Sequence, residues 1–179
     1  ARVMTAVLTF HDRLFERIDG ALSALVLPTA ARLVFAGVLL VYFWNSALTK
    51  LGEGVLGLVR LDAGAYIQMF PRAFEAAGFN AANLPFTYKV LALAGTWAEF
   101  VLPLMIVIGL FTRLAALGMI GFVIVMTATD IAGHGADAAT IGAWFDRASG
   151  SLIADQRALW LFLLLYLALR GGGPVSIDR

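Results

Sequence analysis

Apolar residues gather into long runs separated by short polar breaks, and the run lengths predict where helices cross a bilayer. About 20 helical residues span a hydrocarbon core of about 30 Å. The first run, about 29–48 (TAARLVFAGVLLVYFWNSAL), begins after Pro28 and carries Arg32 near its start. The next fills Val90 to Ala132, which as one helix would be about 64 Å long at about 1.5 Å per residue. It therefore divides into two spans, about 90–109 and 113–132. Gly109, Thr112 and Arg113 mark the break: a helix-ending glycine, a hydroxyl residue suited to capping the next helix, and a charge. A tight antiparallel hairpin is expected there. The last uninterrupted run, Ala158 to Leu169, gives only about 18 Å of helix. Extending it back to about Ser151 yields a span of about 151–170, but brings Asp155, Gln156 and Arg157 into the outer half of the bilayer or its interface, where they need partners. A re-entrant or membrane-thinned arrangement is the alternative.

Ahead of the first span, Val7, Phe10, Leu14, Ile18, Leu22 and Leu25 recur at spacings of three and four, while Asp12, Arg13, Glu16, Arg17 and Asp19 mostly take other faces. Residues 1–27 thus read as an interfacial amphipathic helix. A signal peptide would hold no acidic residues in its apolar core and would end in a small-residue cleavage site. The expected architecture is an all-α membrane protein, in which this helix precedes a four-transmembrane-helix bundle over residues 28–179. Between the first two spans, Tyr66, Ile67, Phe70, Phe74 and Ala77 fit a short amphipathic helix ending at Gly78. It reads as a lid over the bundle, with a substrate gate as the alternative.

Composition supports the membrane setting and removes several functions. Of the 179 residues, 61% are hydrophobic and 14% charged, with a mean hydropathy of +0.87; soluble domains are about 45–50% apolar and about 25% charged. A net charge of +1 without any Lys/Arg-rich run leaves no case for nucleic acid. The absence of cysteine excludes disulfides, thiolate metal sites, Fe–S clusters and Cys-x-x-Cys chemistry. His11 and His134 fall in separate elements, so two axial ligands for an intramembrane haem are missing. Asp130, His134 and Asp137 lack a fourth ligand, and no metal is expected. Arg113 in the hairpin turn and Arg170 directly after the last span favour cytoplasmic termini, with the 49–88 and 133–151 loops outside.

Candidate chemistry centres on Glu99. Pro103, four residues on, lacks the N–H that would bond the Glu99 carbonyl, so a carboxylate costing about 2.5–3.5 kcal/mol on insertion scales coincides with a backbone defect. Counted from the inner helix ends at about 1.5 Å per residue, Glu99 lies about 15 Å above Gly109, Arg157 about 20 Å above Arg170, and Thr127 about 21 Å above Arg113. Asp130 shares a helical face with Thr127, and both Asp130 and Asn45 lie nearer the outside. These residues and Trp97 make up the candidate polar site. Its structural role would be neutralisation, with Glu99 paired to Arg157 or Lys50 and the depth match favouring Arg157. Its ligand-binding role would be to hold a quinone: an acid or Arg would hydrogen-bond a carbonyl, while Trp97, Phe100, Trp160 or Tyr42 would offer stacking surface.

Several short motifs carry a resemblance. Arg32-x4-Gly37, then Asn45 and Lys50, Ala76-Ala77-Gly78-Phe79, Glu99, and Gly109-Leu110-Phe111-Thr112-Arg113-Leu114-Ala115-Ala116 together resemble the DoxX family of small bacterial membrane proteins. The GGGPVSIDR ending from Gly171 looks like that family's Gly/Pro-rich tail. Members often have glycines shortly after the Glu, where this chain has Val101 and Pro103. The resemblance implies a four-helix integral protein of the bacterial inner membrane. Relatives include the membrane subunit of an archaeal thiosulfate:quinone oxidoreductase and components of oxidative-stress complexes. It thus implies quinone-linked oxidoreduction, with quinone as ligand and an extracytoplasmic or membrane partner carrying any redox centre. The lipid bilayer and further copies of the chain, as a homo-oligomer, are the other partners to be sought. A non-catalytic scaffold or assembly factor is the second reading, and a small-solute or proton path the third.

Overall fold

The structure, a computed structural model, describes residues 2–178. Helix α1 (Arg2–Leu25) is joined through the single residue Val26 to α2 (Leu27–Leu48). Two short helices follow, α3 (Ala63–Met69) and α4 (Pro71–Ala76), then α5 (Phe86–Ile108) and α6 (Thr112–Gly133). The chain closes with α7 (Ala138–Ile141) and α8 (Leu152–Arg170). Among the described residues, helices α2, α5, α6 and α8 are the four long and apolar enough to cross a membrane, so the all-α, four-span class expected from the sequence is the one observed. Only 22% to 33% of each span's most apolar window is buried. The remainder, including Leu33, Val125, Leu159 and Phe162, faces outward, as lipid requires and water does not tolerate.

Helix α6 packs most extensively on α8 and next on α5, while α2 lies against both α5 and α8. Their common core is built from Phe35, Leu39, Phe43, Ile106, Met119 and Leu164, all fully buried. Small residues set the approach of α6: Ala115 and Ala116 are buried in the core, and a Cβ at Gly118 would sit 3.2 Å from the Leu102 side chain. Three spans include a wide π-helical turn, at Ala36–Leu40, Thr129–Gly133 and Leu152–Arg157. The last lets α8 run continuously back to Leu152. It is capped reciprocally: Ser151 donates its N–H and hydroxyl to Asp155, whose own N–H donates to the Ser151 hydroxyl.

The lid is two helices, where the periodicity predicts one. Pro71 begins a new helix directly after Phe70, because proline cannot donate into the preceding turn. Tyr66, Phe74, Leu84 and Ala92 form its buried centre, so the lid packs on the first turns of α5. Gln68 donates to the Thr49 hydroxyl (3.1 Å), His134 Nε2 lies 3.0 Å from the Gln68 carbonyl, and Trp97 Nε1 donates to the Leu58 carbonyl (3.0 Å). The lid region is therefore tied to the ends or flanks of three spans.

At the opposite end, where the hairpin lies, Gly109 adopts φ 73° and closes α5, and Leu110 N–H donates back to the Met105 carbonyl (2.9 Å). Arg32 caps the same helix from α2, donating to the Ile106 and Val107 carbonyls and to those of Gly172 and Val175 in the tail. Thr112 does not cap α6, contrary to the sequence expectation: it is the first helical residue, and its buried hydroxyl has no hydrogen-bond partner among the described residues. Asp178 does the capping, accepting from the Phe111 and Thr112 N–H groups (2.5 and 2.6 Å). Its carboxyl is held below the usual carboxylate range. Burial pushes the other way, but the hydrogen bonds from Thr112 and Phe111, with the Arg32 charge, outweigh it.

A depressed folded-state value means that this stabilisation is present above the unfolded pKa of about 3.9 and is lost as pH falls through the folded value. Thermal unfolding of detergent-solubilised protein tests this. Wild type should be more stable than Asp178→Asn at pH 7, and the gap should close on acidification below that range. A gap independent of pH would refute the cap.

Candidate functional site

Among the described residues, two ion pairs lie within the bundle. Lys50 and Glu99 are 2% and 3% exposed. The Lys50 ammonium donates to both Glu99 carboxylate oxygens (3.0 and 2.9 Å), to the Ser46 hydroxyl (2.7 Å) and to the Ser46 carbonyl (3.0 Å). Charge and hydrogen-bonding capacity are thus matched within one cluster, the condition under which a buried pair is tolerated. It joins the end of α2 to the middle of α5. Pro103 does not break α5, which is continuous from Phe86 to Ile108. Beside this proline, Trp44 Nε1 donates to the Phe100 carbonyl (3.1 Å), one residue on from the carbonyl that the missing N–H frees.

The second pair is Arg157 with Asp130, reinforced by a 2.9 Å hydrogen bond from Arg157 to the Thr127 hydroxyl. Both charges sit on the π-helical turns of α6 and α8. Arg157 therefore does not neutralise Glu99. Depth along the helices places both at similar levels, but Arg157 turns to the acid on the neighbouring α6, and the long Lys50 stem reaches inward to Glu99. The Tyr42 ring contacts Phe43 and Trp160 at centroid distances of 5.1 and 5.2 Å.

The remaining expected residues separate. Asn45 is exposed on α2 and does not join either pair. Trp97 packs on Phe100 (centroids 5.8 Å apart) and donates to the Leu58 carbonyl, so it holds the connection that precedes α3. Trp144, in the connection between α7 and α8, takes the position beside Arg157. Arg157, Thr127, Trp144, Ile153, Ala158 and Leu161 line an open cleft of about 490 Å³. Trp144 is fixed there by donating its Nε1 to the Ala154 carbonyl (2.8 Å). Gly142, at φ 70° and so close to Ser151 that a Cβ would lie 2.1 Å from its hydroxyl, draws the loop onto the start of α8.

Arg157 is 8% exposed, and its Nε–H has no hydrogen-bond partner among the described residues. The side chain borders a mostly apolar cleft, a setting that suits an acceptor oxygen on an apolar body, while Nε itself is enclosed by protein. The His134 ring is engaged by Gln68, Asp130 by Arg157, and Asp137 caps α7 through the Thr140 N–H (2.7 Å). Among the described residues no group of three His, Cys, Asp or Glu side chains is placed to hold a metal.

Four bilayer-length apolar helices with one buried and one partly buried ion pair between them define a multi-pass integral membrane protein. The chain belongs to the DoxX family, whose model matches residues 27–135, more than half of its length. No curated protein and no solved structure matches it significantly.

Proposed function

We propose that this chain is the membrane subunit of a quinone-linked oxidoreductase in the bacterial inner membrane, with both termini cytoplasmic and a partner on the lid side. The observation that carries the reading is buried Arg157, which lines the cleft beside Trp144 and whose enclosed Nε–H has no hydrogen-bond partner among the described residues. A quinone carbonyl is an acceptor that the guanidinium holds once a side-chain shift turns an N–H into the cleft. Trp144 offers a ring face, and Ile153, Ala158 and Leu161 take the apolar body. A bound quinone supplies the two-electron chemistry. Arg157 orients its carbonyl, and Asp130 with Thr127 fixes the guanidinium. With no cysteine and no histidine pair for haem, the redox centre belongs to the partner. Arg113 and Arg170 near the hairpin end support the cytoplasmic assignment.

The test is binding of a short-chain ubiquinone analogue to nanodisc-reconstituted protein, measured by calorimetry. Arg157→Lys keeps the charge opposite Asp130 but removes the planar N–H donor. It should weaken binding at least about tenfold, the scale of one hydrogen bond to a charged group, while Asn45→Ala should leave it unchanged. Wild-type protein that binds no quinone, or equal affinities in wild type and Arg157→Lys, would sink the proposal. The saturated Lys50–Glu99 cluster favours a second reading, a scaffold whose polar residues only orient helices.

A further inference from the structure

We infer that the Arg157 cleft is loaded sideways from the bilayer through the seam between α6 and α8, by a ligand whose hydrocarbon tail leaves along this seam towards the middle of the membrane. The inference rests on the quinone reading of the same site and adds to it the form of the ligand and its route. At about 490 Å³ the cleft has the size of a site for one small molecule. It cannot also enclose a long isoprenoid chain, which must leave it somewhere.

The lining residues decide where. The lid end of the cleft is formed by Gly142, Ala143 and Trp144 of the connection between α7 and α8, held down by the Trp144 bond to the Ala154 carbonyl and by the close approach of Gly142 to Ser151. The wall towards the bundle is Arg157, tied to Asp130 and Thr127. What remains is the flank between α6 and α8. Ala158, Leu161 and Leu165, at spacings of three and four, form one stripe of α8, and Thr127, Ile124 and Leu117, at spacings of three and seven, form one stripe of α6. Ala158, Leu161 and Thr127 line the cleft. The stripes then run on to Leu165, 48% exposed, and to Ile124 and Leu117, each 56% exposed, on the surfaces that two membrane spans turn to lipid. Cleft and lipid-facing surface are therefore continuous, and the small Ala158 and Thr127 stand at the join.

Depth gives the same direction. From Arg170 to Leu161 is about 14 Å at about 1.5 Å per residue, near the middle of a hydrocarbon core of about 30 Å. An acceptor oxygen at Arg157 thus sits in the lid-side half of the bilayer with its chain pointing to the midplane, since a chain leaving the other way would meet the Trp144 connection. Passing from lipid into the seam costs the tail little, because acyl chains are as apolar as leucine side chains. The tail sets the route, and Arg157 supplies the affinity.

The test uses the full-length protein in nanodiscs with two probes: a decyl-tailed ubiquinone analogue ending in a photoreactive diazirine, and the tail-less dimethoxy-methyl-benzoquinone. After irradiation, peptide mass spectrometry should place the adducts that excess unlabelled decyl analogue competes away on Leu117, Ile124, Leu161 or Leu165. Ile124→Trp narrows the seam from the lipid side and leaves every cleft-lining residue in place. It should weaken the tailed analogue at least about tenfold, the scale of one overpacked side chain, while the tail-less probe keeps its affinity. Leu159→Trp, on the opposite face of α8 from Leu161, should change neither. Competable adducts confined to the 142–151 connection or the lid, or equal affinity of wild type and Ile124→Trp for the tailed analogue, would overturn the sideways route and leave the quinone reading standing. Binding of neither probe to wild type would remove the quinone reading itself, and this inference with it.

Discussion

Replacing Lys50 by methionine is expected to destabilise the bundle by about 3–5 kcal/mol, because it strands the Glu99 carboxylate among helices α2 and α5 without a counter-charge. Glu99→Gln should cost a comparable amount, since the ammonium would keep only a neutral amide and Ser46 as partners. The double variant Lys50→Met/Glu99→Met is the informative one. With both charges gone, desolvation is no longer owed on either side, and apolar side chains of similar volume should restore stability to within about 1–2 kcal/mol of wild type. Reversible unfolding in mixed detergent micelles measures all four proteins. The same double variant should bind the quinone analogue normally, because Arg157 and its cleft are built from α6, α8 and their connecting loop. Lost binding with restored stability would make the Lys50–Glu99 cluster a functional centre, and the assignment of chemistry to Arg157 would fall.

The second large effect is expected at Arg32. Its guanidinium serves two carbonyls at the end of α5 and two in the tail. Arg32→Met leaves four acceptors without this donor, each costing about 1–3 kcal/mol where it stays buried. The sum will not be additive, and a net loss of about 3 kcal/mol or more is expected. Arg32→Lys should recover only part of it, because one compact ammonium cannot reproduce the spread of the guanidinium fork. Hydrogen exchange locates the damage: in Arg32→Met the amides of Phe111 and Thr112 should lose protection, because the tail carrying Asp178 is no longer held. Unchanged exchange there would show that Asp178 docks without Arg32.

The architecture is legible because run length and polarity alone dictate it. The hairpin break at Gly109 is read correctly for a physical reason: only a glycine readily takes the left-handed turn that closes α5. Thr112 is misread as its partner cap because capping need not be local, and the carboxylate that serves α6 comes from Asp178, 66 positions away. Glu99 is found because a charge in an apolar run is costly, but its partner is misassigned. Axial counting fixes the depth of a Cα, not the azimuth of its helix or the reach of a lysine. Asp130 and Thr127 are legible as one face, and both do meet Arg157. Trp144 leaves no signal, since its placement depends on a loop closing over α8.

The capping of α6 by Asp178 also sets an order of assembly. During synthesis the hairpin of α5 and α6 enters the membrane long before Asp178 is translated, so the first amides of α6 wait for their acceptor until α8 has been threaded. The ring closed by Arg32 and Asp178 is then a completion signal for the whole bundle. A ribosome stalled after α8 would leave four inserted helices with a frayed edge at the hairpin end, a feature by which membrane proteases could distinguish an unfinished chain from a finished one.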